Sequence, residues 1–132
     1  MDITIFSFGH KHGSPPESDL QLDARFLPNP FSDKTLRPLN GTDEPVKKWF
    51  ERFPQVRDFI THVTPIAQAG IENENRRTNG GFQYRIGFGC TGGHHRSVYC
   101  AEQLAIRLRG NLKNAAHKIT VSHTQHPENT ER

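Results

Sequence analysis

The feature that most constrains this fold is a strand, a glycine-rich turn and a helix that follow one another between residues 82 and 110. Residues 82–88, FQYRIGF, alternate apolar and polar side chains with the period of a β-strand. Residues 97–110, SVYCAEQLAIRLRG, carry one apolar face at helical spacing and reach a natural helix stop at Gly110. A strand that turns directly into a helix predicts an α/β unit.

The rest of the chain supplies further elements of the same class. Strands are expected at residues 2–8, which are β-branched and aromatic, at 20–26, which alternate apolar and polar side chains, and at 117–123. One helix is expected over residues 44–53 and a second after Pro54, and Pro65 should kink or end the second helix. Strands separated by helices predict an α/β fold, with a small, mostly parallel sheet and flanking helices. Residues 1–123 are expected to form one domain, and residues 124–132 a flexible tail.

Charge and composition limit the possible classes of function. The chain has 17 basic and 14 acidic residues, a net charge of +3 and a pI near 9.1. This balance suits an anionic partner but falls short of the bias of a dedicated nucleic-acid binder. No run approaches the roughly 18 apolar residues of a membrane span, and the N-terminus lacks the basic region of a signal peptide. We expect no membrane partner, and the two cysteines favour free thiols in the cytoplasm.

The turn itself, within GFGCTGGHHRSV at residues 87–98, predicts an anion site. Gly92 and Gly93 remove side chains, so backbone N–H groups can turn toward a ligand. The helix that begins near residues 95–97 directs its positive end at the same place. Arg96 adds a planar, bidentate donor for phosphate or carboxylate. Phosphate is the anion that fits all three features.

The same turn matches the pattern of cysteine-dependent phosphatases, in which a cysteine, five residues and an arginine precede a serine or threonine. Cys90, Arg96 and Ser97 have this spacing. In that chemistry the thiolate attacks phosphorus, the arginine holds the phosphoryl oxygens, and a general acid comes from a separate loop. Asp33 and Asp43 lie in the 27–43 loop, but neither belongs to a recognisable acid-loop motif. We therefore expect a binding protein rather than an enzyme, and keep the phosphatase as the alternative.

The cysteines and histidines do not indicate a metal site. The spacing of Cys90, His94, His95 and Cys100 fits no common closed zinc site, and two adjacent histidines do not easily reach one ion. Cys100 falls near the apolar face of the last helix and is expected in the core. No metal and no cofactor are predicted.

Four segments in a fixed order carry a resemblance to a known family. They are SFGHKHG at 7–13, LDARFLPNP at 22–30, LRP at 36–38 and GCTGGHHRSV at 89–98. From Ile3 to about His123 the chain resembles the C-terminal domain of the RNase adapter protein RapZ family, as a standalone domain without the N-terminal P-loop domain. The sequence has no G-x-x-x-x-G-K-[ST] motif, so no ATP site is implied.

The resemblance implies a fold like a phosphofructokinase subdomain and a role as a regulator in the bacterial cytoplasm. Its partners would be glucosamine-6-phosphate, small RNA and an endoribonuclease, and a homo-oligomer is left open. The implied ligand-binding residues are Lys11, His12, Asp23, Arg25, Asn29, Cys90, Thr91, Gly92, Gly93, His94, His95, Arg96 and Ser97. The implied RNA-binding residues are Lys11, His12, Arg25, Arg37 and Arg96, and Arg37 also borders the implied pocket.

The chain departs from the family pattern at several positions. Phe31 stands where the family has a histidine after L-P-N-P, which removes one polar ligand. His10 replaces the usual aromatic residue, and His94 fills a variable position. The family's basic C-terminal end is here SHTQHPENTER, which weakens the case for RNA more than the case for a small phosphate.

Overall fold

A computed structural model describes residues 1–129 and shows four parallel strands with three α-helices. The strands are β1 (Asp2–Gly9), β2 (Leu20–Asp23), β3 (Gln83–Cys90) and β4 (Lys118–His123), in the sheet order β2-β3-β1-β4. The helices are α1 (Glu44–Glu51), α2 (Pro54–Arg77) and α3 (Arg96–Asn111). Short 3₁₀ turns occupy His10–His12, Pro30–Ser32 and Pro127–Asn129. The predicted α/β class with a parallel sheet and flanking helices is confirmed.

The core lies on both sides of the central strand β1, which pairs with β3 and β4. Parallel strands that are covered on both faces lose strict alternation and become continuously apolar, and β1 is buried from Ile5 to Gly9. The apolar face predicted for α3 is confirmed, since Val98, Ala101, Leu104, Ala105 and Leu108 are all fully buried. Cys100 is buried beside them, and burial raises the pKa of its thiol.

Helix α2 continues past Pro65 to Arg77, so of the two outcomes expected at Pro65, a kink or an end, the end does not occur. Pro65 lies on the exposed side of the helix, where water can replace the hydrogen bond that proline cannot donate. Its neighbours Val63 and Ala67 are buried and pack in the core. Burial of that face therefore outweighs the local preference of proline.

Strand β2 ends at Asp23, although the sequence predicts a strand to residue 26. The carboxylate of Asp23 accepts the backbone N–H of Arg25 at 2.9 Å, and this turn carries the chain away from the sheet. Phe26 is left 67% exposed, with its ring edge-on to Phe59. A local side-chain-to-backbone bond thus interrupts the alternating pattern at its end.

Residues 124–129 lie against the domain, where the sequence predicts the start of a flexible tail. The backbone N–H of Thr124 donates to Ser7 at 3.0 Å, and Asn129 donates to the Thr42 hydroxyl at 3.3 Å. The flexible tail over residues 124–132 stays a prediction, and residues 130–132 lie outside the described part of the chain.

The parallel sheet brings four chain segments to one edge. Gly9 pairs with Cys90, Asp23 with Gly89, and Ser7 with His123, so all four strands end near one another. The loops that follow β1, β2 and β3 and the segment after β4 therefore meet there, which is where open parallel sheets bind ligands. Among the described residues, no helix has the length and apolar character needed to cross a membrane.

Candidate functional site

A cavity of about 210 Å³ opens at the carboxyl edge of the sheet, beside the start of α3. Its lining comes from the loops after β1, β2 and β3. The lining residues are Lys11, Asn29, Phe31, Cys90, Thr91, Gly92, His94, His95 and Arg96. All of them except Phe31 belong to the ligand-binding set that the sequence predicts.

Glycines make the bottom of this site by allowing two backbone segments to touch. Gly93 has a φ of +78°, and a Cβ there would lie 2.8 Å from the backbone nitrogen of Gly9. A Cβ on Gly9 would in turn lie 2.6 Å from the carbonyl carbon of Gly92. Real Cβ atoms do not approach other atoms this closely. The end of β1 and the 91–95 loop can therefore pack together only if Gly9 and Gly93 carry no side chain.

The loop and the first turn of α3 present backbone N–H groups that have no protein acceptor. Among residues 1–129, the amides of Gly92, His94, His95, Arg96 and Ser97 donate to no backbone or side-chain atom. The first turn of every helix has such unpaired donors, and here they continue into the loop. Convergent amides at the positive end of a helix attract anions.

Two cations add positive charge to this cavity, and its described lining contains no carboxylate. Lys11 follows β1; its backbone N–H donates to Thr91 at 3.1 Å, and its ammonium makes no ion pair in the described residues. His12 beside it donates from Nε2 to the carbonyl of Gly92 at 3.2 Å. These bonds hold the turn after β1 against the 91–95 loop.

Arg96, the second cation, is only 6% exposed and ties two loops together. Nη1 donates to the carbonyls of Arg25 and Leu27, and Nη2 lies 3.4 Å from the hydroxyl of Thr91. The remaining N–H groups have no acceptor within residues 1–129. Arg96 therefore positions the loop after β2 and is also one of the residues that line the cavity.

Cys90 ends β3 at the base of the cavity. It is 3% exposed, its sulfur lies 3.1 Å from the hydroxyl of Ser97, and it accepts the N–H of Gly93 at 3.3 Å. Asp33, a candidate general acid, accepts two hydrogen bonds from Thr35, which lower the pKa of its carboxyl. A lowered pKa keeps that group ionised at neutral pH, the wrong state for protonating a leaving group.

Two histidines follow the glycines; His94 is half-buried and His95 is buried. His94 Nδ1 lies 2.8 Å from His126 Nε2, and burial, together with His126, lowers the pKa of His94. His95 Nε2 donates to the carbonyl of Leu36 at 3.1 Å, and burial lowers its pKa as well. Sequence reasoning missed the role of His126, because its partner is 32 residues away and no local pattern joins them. Among the described residues, no group of three or more metal-ligating side chains is placed to hold an ion.

Six predicted residues do not line the cavity: His12, Gly93 and Ser97, whose contacts are described above, and Asp23, Arg25 and Arg37. Arg25 and Asp23 form an exposed ion pair at 2.7 Å, and their hydrogen bond lowers the pKa of Asp23 to about 2. Arg37 places its guanidinium 4.5 Å from the ring centroid of Phe31 and donates from Nε to the Phe31 carbonyl at 2.8 Å. Arg25 and Arg37 both face solvent near the cavity mouth.

The chain is similar to known bacterial proteins along most of its length. The family described as the RapZ C-terminal domain matches residues 1–127. Nucleotide-binding proteins of Shewanella sp. strain ANA-3 and of Shewanella oneidensis are each 44% identical over 123 residues. That of Shewanella amazonensis is 45% identical over 124 residues. These matches cover 93% of this chain and 41–42% of the relatives, so the chain spans about two-fifths of their length.

Proposed function

Because the chain belongs to the RapZ C-terminal domain family, we propose that it is a non-catalytic binding protein for a phosphorylated ligand. The ligand is an amino-sugar phosphate such as glucosamine-6-phosphate, RNA, or both. Its phosphate would sit on the amides of residues 91–97. We place the protein in the bacterial cytoplasm, where the unpaired thiols of Cys90 and Cys100 stay reduced.

The observation that carries this proposal is the convergence of unpaired amides and two cations on one cavity. Lys11 and Arg96 supply charge, and the loop and the α3 N-terminus supply oriented N–H groups. A volume of about 210 Å³ lies below the roughly 300–1,000 Å³ of drug-sized sites. A phosphate with one sugar-sized group suits such a space.

RNA is supported by the exposed basic residues near the same cavity. Lys11, His12, Arg25 and Arg37 are all exposed at the carboxyl edge of the sheet. When RNA binds to this surface, the basic side chains should neutralise several of its phosphates. The affinity for RNA should therefore depend steeply on salt. Delivery of RNA to an endoribonuclease and assembly into a homo-oligomer are parts of the same proposal.

Calorimetry tests the proposal directly. We expect glucosamine-6-phosphate and inorganic phosphate to bind, and glucosamine to bind far more weakly. Lys11→Ala should lower the affinity for glucosamine-6-phosphate and for inorganic phosphate. Lys48→Ala, which removes an exposed cation from α1, should leave both affinities unchanged. Equal binding of glucosamine and its phosphate, or unchanged affinity in Lys11→Ala, would contradict a phosphate site at this cavity.

A cysteine-dependent phosphatase is the alternative, and one observation favours it. Gly93 and Ser97 both contact the sulfur of Cys90, in the arrangement expected around a thiolate nucleophile. The low exposure of Cys90 and the lowered pKa of Asp33 favour binding over catalysis. Turnover of p-nitrophenyl phosphate decides between the two.

A further inference from the structure

Phe31 is the cavity residue that the proposed function leaves without a role. It lines the cavity and is 53% exposed. We propose that the ligand of this site is a nucleotide unit whose base stacks on Phe31, with its phosphate on the 91–96 loop. The inference rests on the proposed phosphate site and specifies what the phosphate is attached to.

The ring of Phe31 is held in place from its backbone and from one face. Its N–H donates to Asn29 Oδ1 at 3.1 Å, which caps the short turn Pro30–Ser32. Its carbonyl accepts Nε of Arg37 at 2.8 Å, and the guanidinium of Arg37 lies 4.5 Å from the ring centroid. A ring that is already fixed loses little conformational entropy when a ligand covers it.

Arg37 also shows how a stack could continue. Phe31 lines the cavity, and Arg37 does not. A guanidinium over an aromatic ring makes a cation–π contact, and proteins hold unpaired bases on aromatic rings and on arginine planes. A base on Phe31 would therefore add a third planar group to an existing pair.

The cavity contains the groups that the phosphate and the base of a nucleotide would need. Its lining includes the glycine loop and Arg96 for a phosphate, and Phe31 for a base. A volume of about 210 Å³ has room for a sugar-sized group between them. A bare sugar phosphate has no flat group to place on Phe31, which is 53% exposed.

The chemistry of phenylalanine points the same way. Its side chain has no hydrogen-bond donor or acceptor, so it cannot hold a sugar hydroxyl as the histidine of the family pattern could. The phenylalanine ring has a flat apolar face, and any of the bases can stack on such a face. The nucleotide unit could be free or could be the phosphorylated end of an RNA strand.

The test is calorimetry with AMP, ribose 5-phosphate and inorganic phosphate, which differ by the base and by the sugar. AMP should bind more tightly than ribose 5-phosphate to the unaltered chain. Phe31→Ala and Phe31→Leu should weaken AMP by about tenfold, as for loss of a stacked base. They should leave ribose 5-phosphate and inorganic phosphate within about twofold, because the loop bond of Arg37 is to the Phe31 backbone. Phe31→His, which keeps a ring, should lose less AMP affinity than Phe31→Ala.

The matched control is Phe82→Ala. Phe82 is 69% exposed but precedes β3, at the opposite edge of the sheet, and it should change no affinity. A short 5′-phosphorylated RNA that binds more tightly than AMP identifies the strand end as the source, and equal binding identifies the free nucleotide.

Equal losses for AMP and ribose 5-phosphate in Phe31→Ala, or no preference for AMP in the unaltered chain, would overturn the stacking proposal. Failure of all three ligands to bind would instead refute the phosphate site itself. Thermal unfolding of each variant shows that the fold is retained.

Discussion

Replacing Gly93 by alanine should destabilise the domain more than replacing Gly80, although both residues have a φ of +78°. An L-residue in this backbone region costs about 1–2 kcal/mol, and both variants carry that cost. A Cβ on Gly80 would lie 3.6 Å from its nearest neighbour, the side chain of Asn75, which is ordinary contact. We therefore expect Gly80→Ala to lose only about 1–2 kcal/mol.

Gly93 differs because backbone atoms surround it. A Cβ there would lie 2.8 Å from the nitrogen of Gly9 and 3.0 Å from the carbonyl carbon of Phe8. These atoms belong to the central strand and cannot rotate away as a side chain can. Forcing extra volume into packed sites costs about 1–3 kcal/mol, so Gly93→Ala should lose about 2–5 kcal/mol in total.

Urea unfolding of the two variants measures the difference. Both exchange glycine for alanine, so the entropy change of the unfolded chain is the same and cancels. Titration with inorganic phosphate supplies a second measurement, because a displaced loop should bind phosphate poorly in Gly93→Ala and normally in Gly80→Ala. Equal destabilisation, or full phosphate affinity in Gly93→Ala, would refute the role given to this contact.

Four further outcomes are expected. Arg96→Ala should weaken phosphate binding by about 1.5–3 kcal/mol, the range for hydrogen bonds to charged groups, and calorimetry showing wild-type affinity would contradict this. Cys90→Ser should keep most of the phosphate affinity, and the unaltered chain should not turn over p-nitrophenyl phosphate; turnover that Cys90→Ser abolishes would establish the phosphatase instead. Acidification from about pH 7.5 to 5.5 should lower the free energy of unfolding, because the lowered pKa values of His94 and His95 let the unfolded chain bind protons first; urea curves that coincide at the two pH values would disprove it. RNA binding should fall steeply with salt and compete with sugar phosphate, and a filter-binding series insensitive to both would argue against a shared surface.

The elements that the sequence predicts well depend on local patterns. Strand β3, the glycine turn and α3 lie within one short segment, and their periods are visible without knowledge of the rest of the fold. Their ends are less exact, since β3 continues to Cys90 and α3 runs through Gly110 to Asn111. Most of the cavity lining follows from the same segment, because a glycine turn at a helix N-terminus has a definite chemistry.

The features that sequence reasoning missed depend on contacts between distant residues. His123 has no neighbour in the sequence that indicates a partner, yet its Nδ1 lies 2.7 Å from the buried hydroxyl of Ser7, 116 residues away. At Phe31 the sequence indicates only the loss of a polar ligand, whereas in the fold Phe31 lines the cavity. The sequence also leaves open whether α2 ends at Pro65, because the burial that keeps the helix continuous comes from other elements.

The glycine contacts between β1 and the 91–95 loop also limit how such a site can change. Gly9 and Gly93 accept no side chain, so substitutions there act on the fold before they act on the ligand. Phe31 carries its side chain at the opening, and both of its backbone hydrogen bonds persist whatever that side chain is. A library that randomises residue 31 would therefore vary ligand preference on a constant scaffold, which makes this position the natural starting point for engineering a phosphate sensor of chosen specificity.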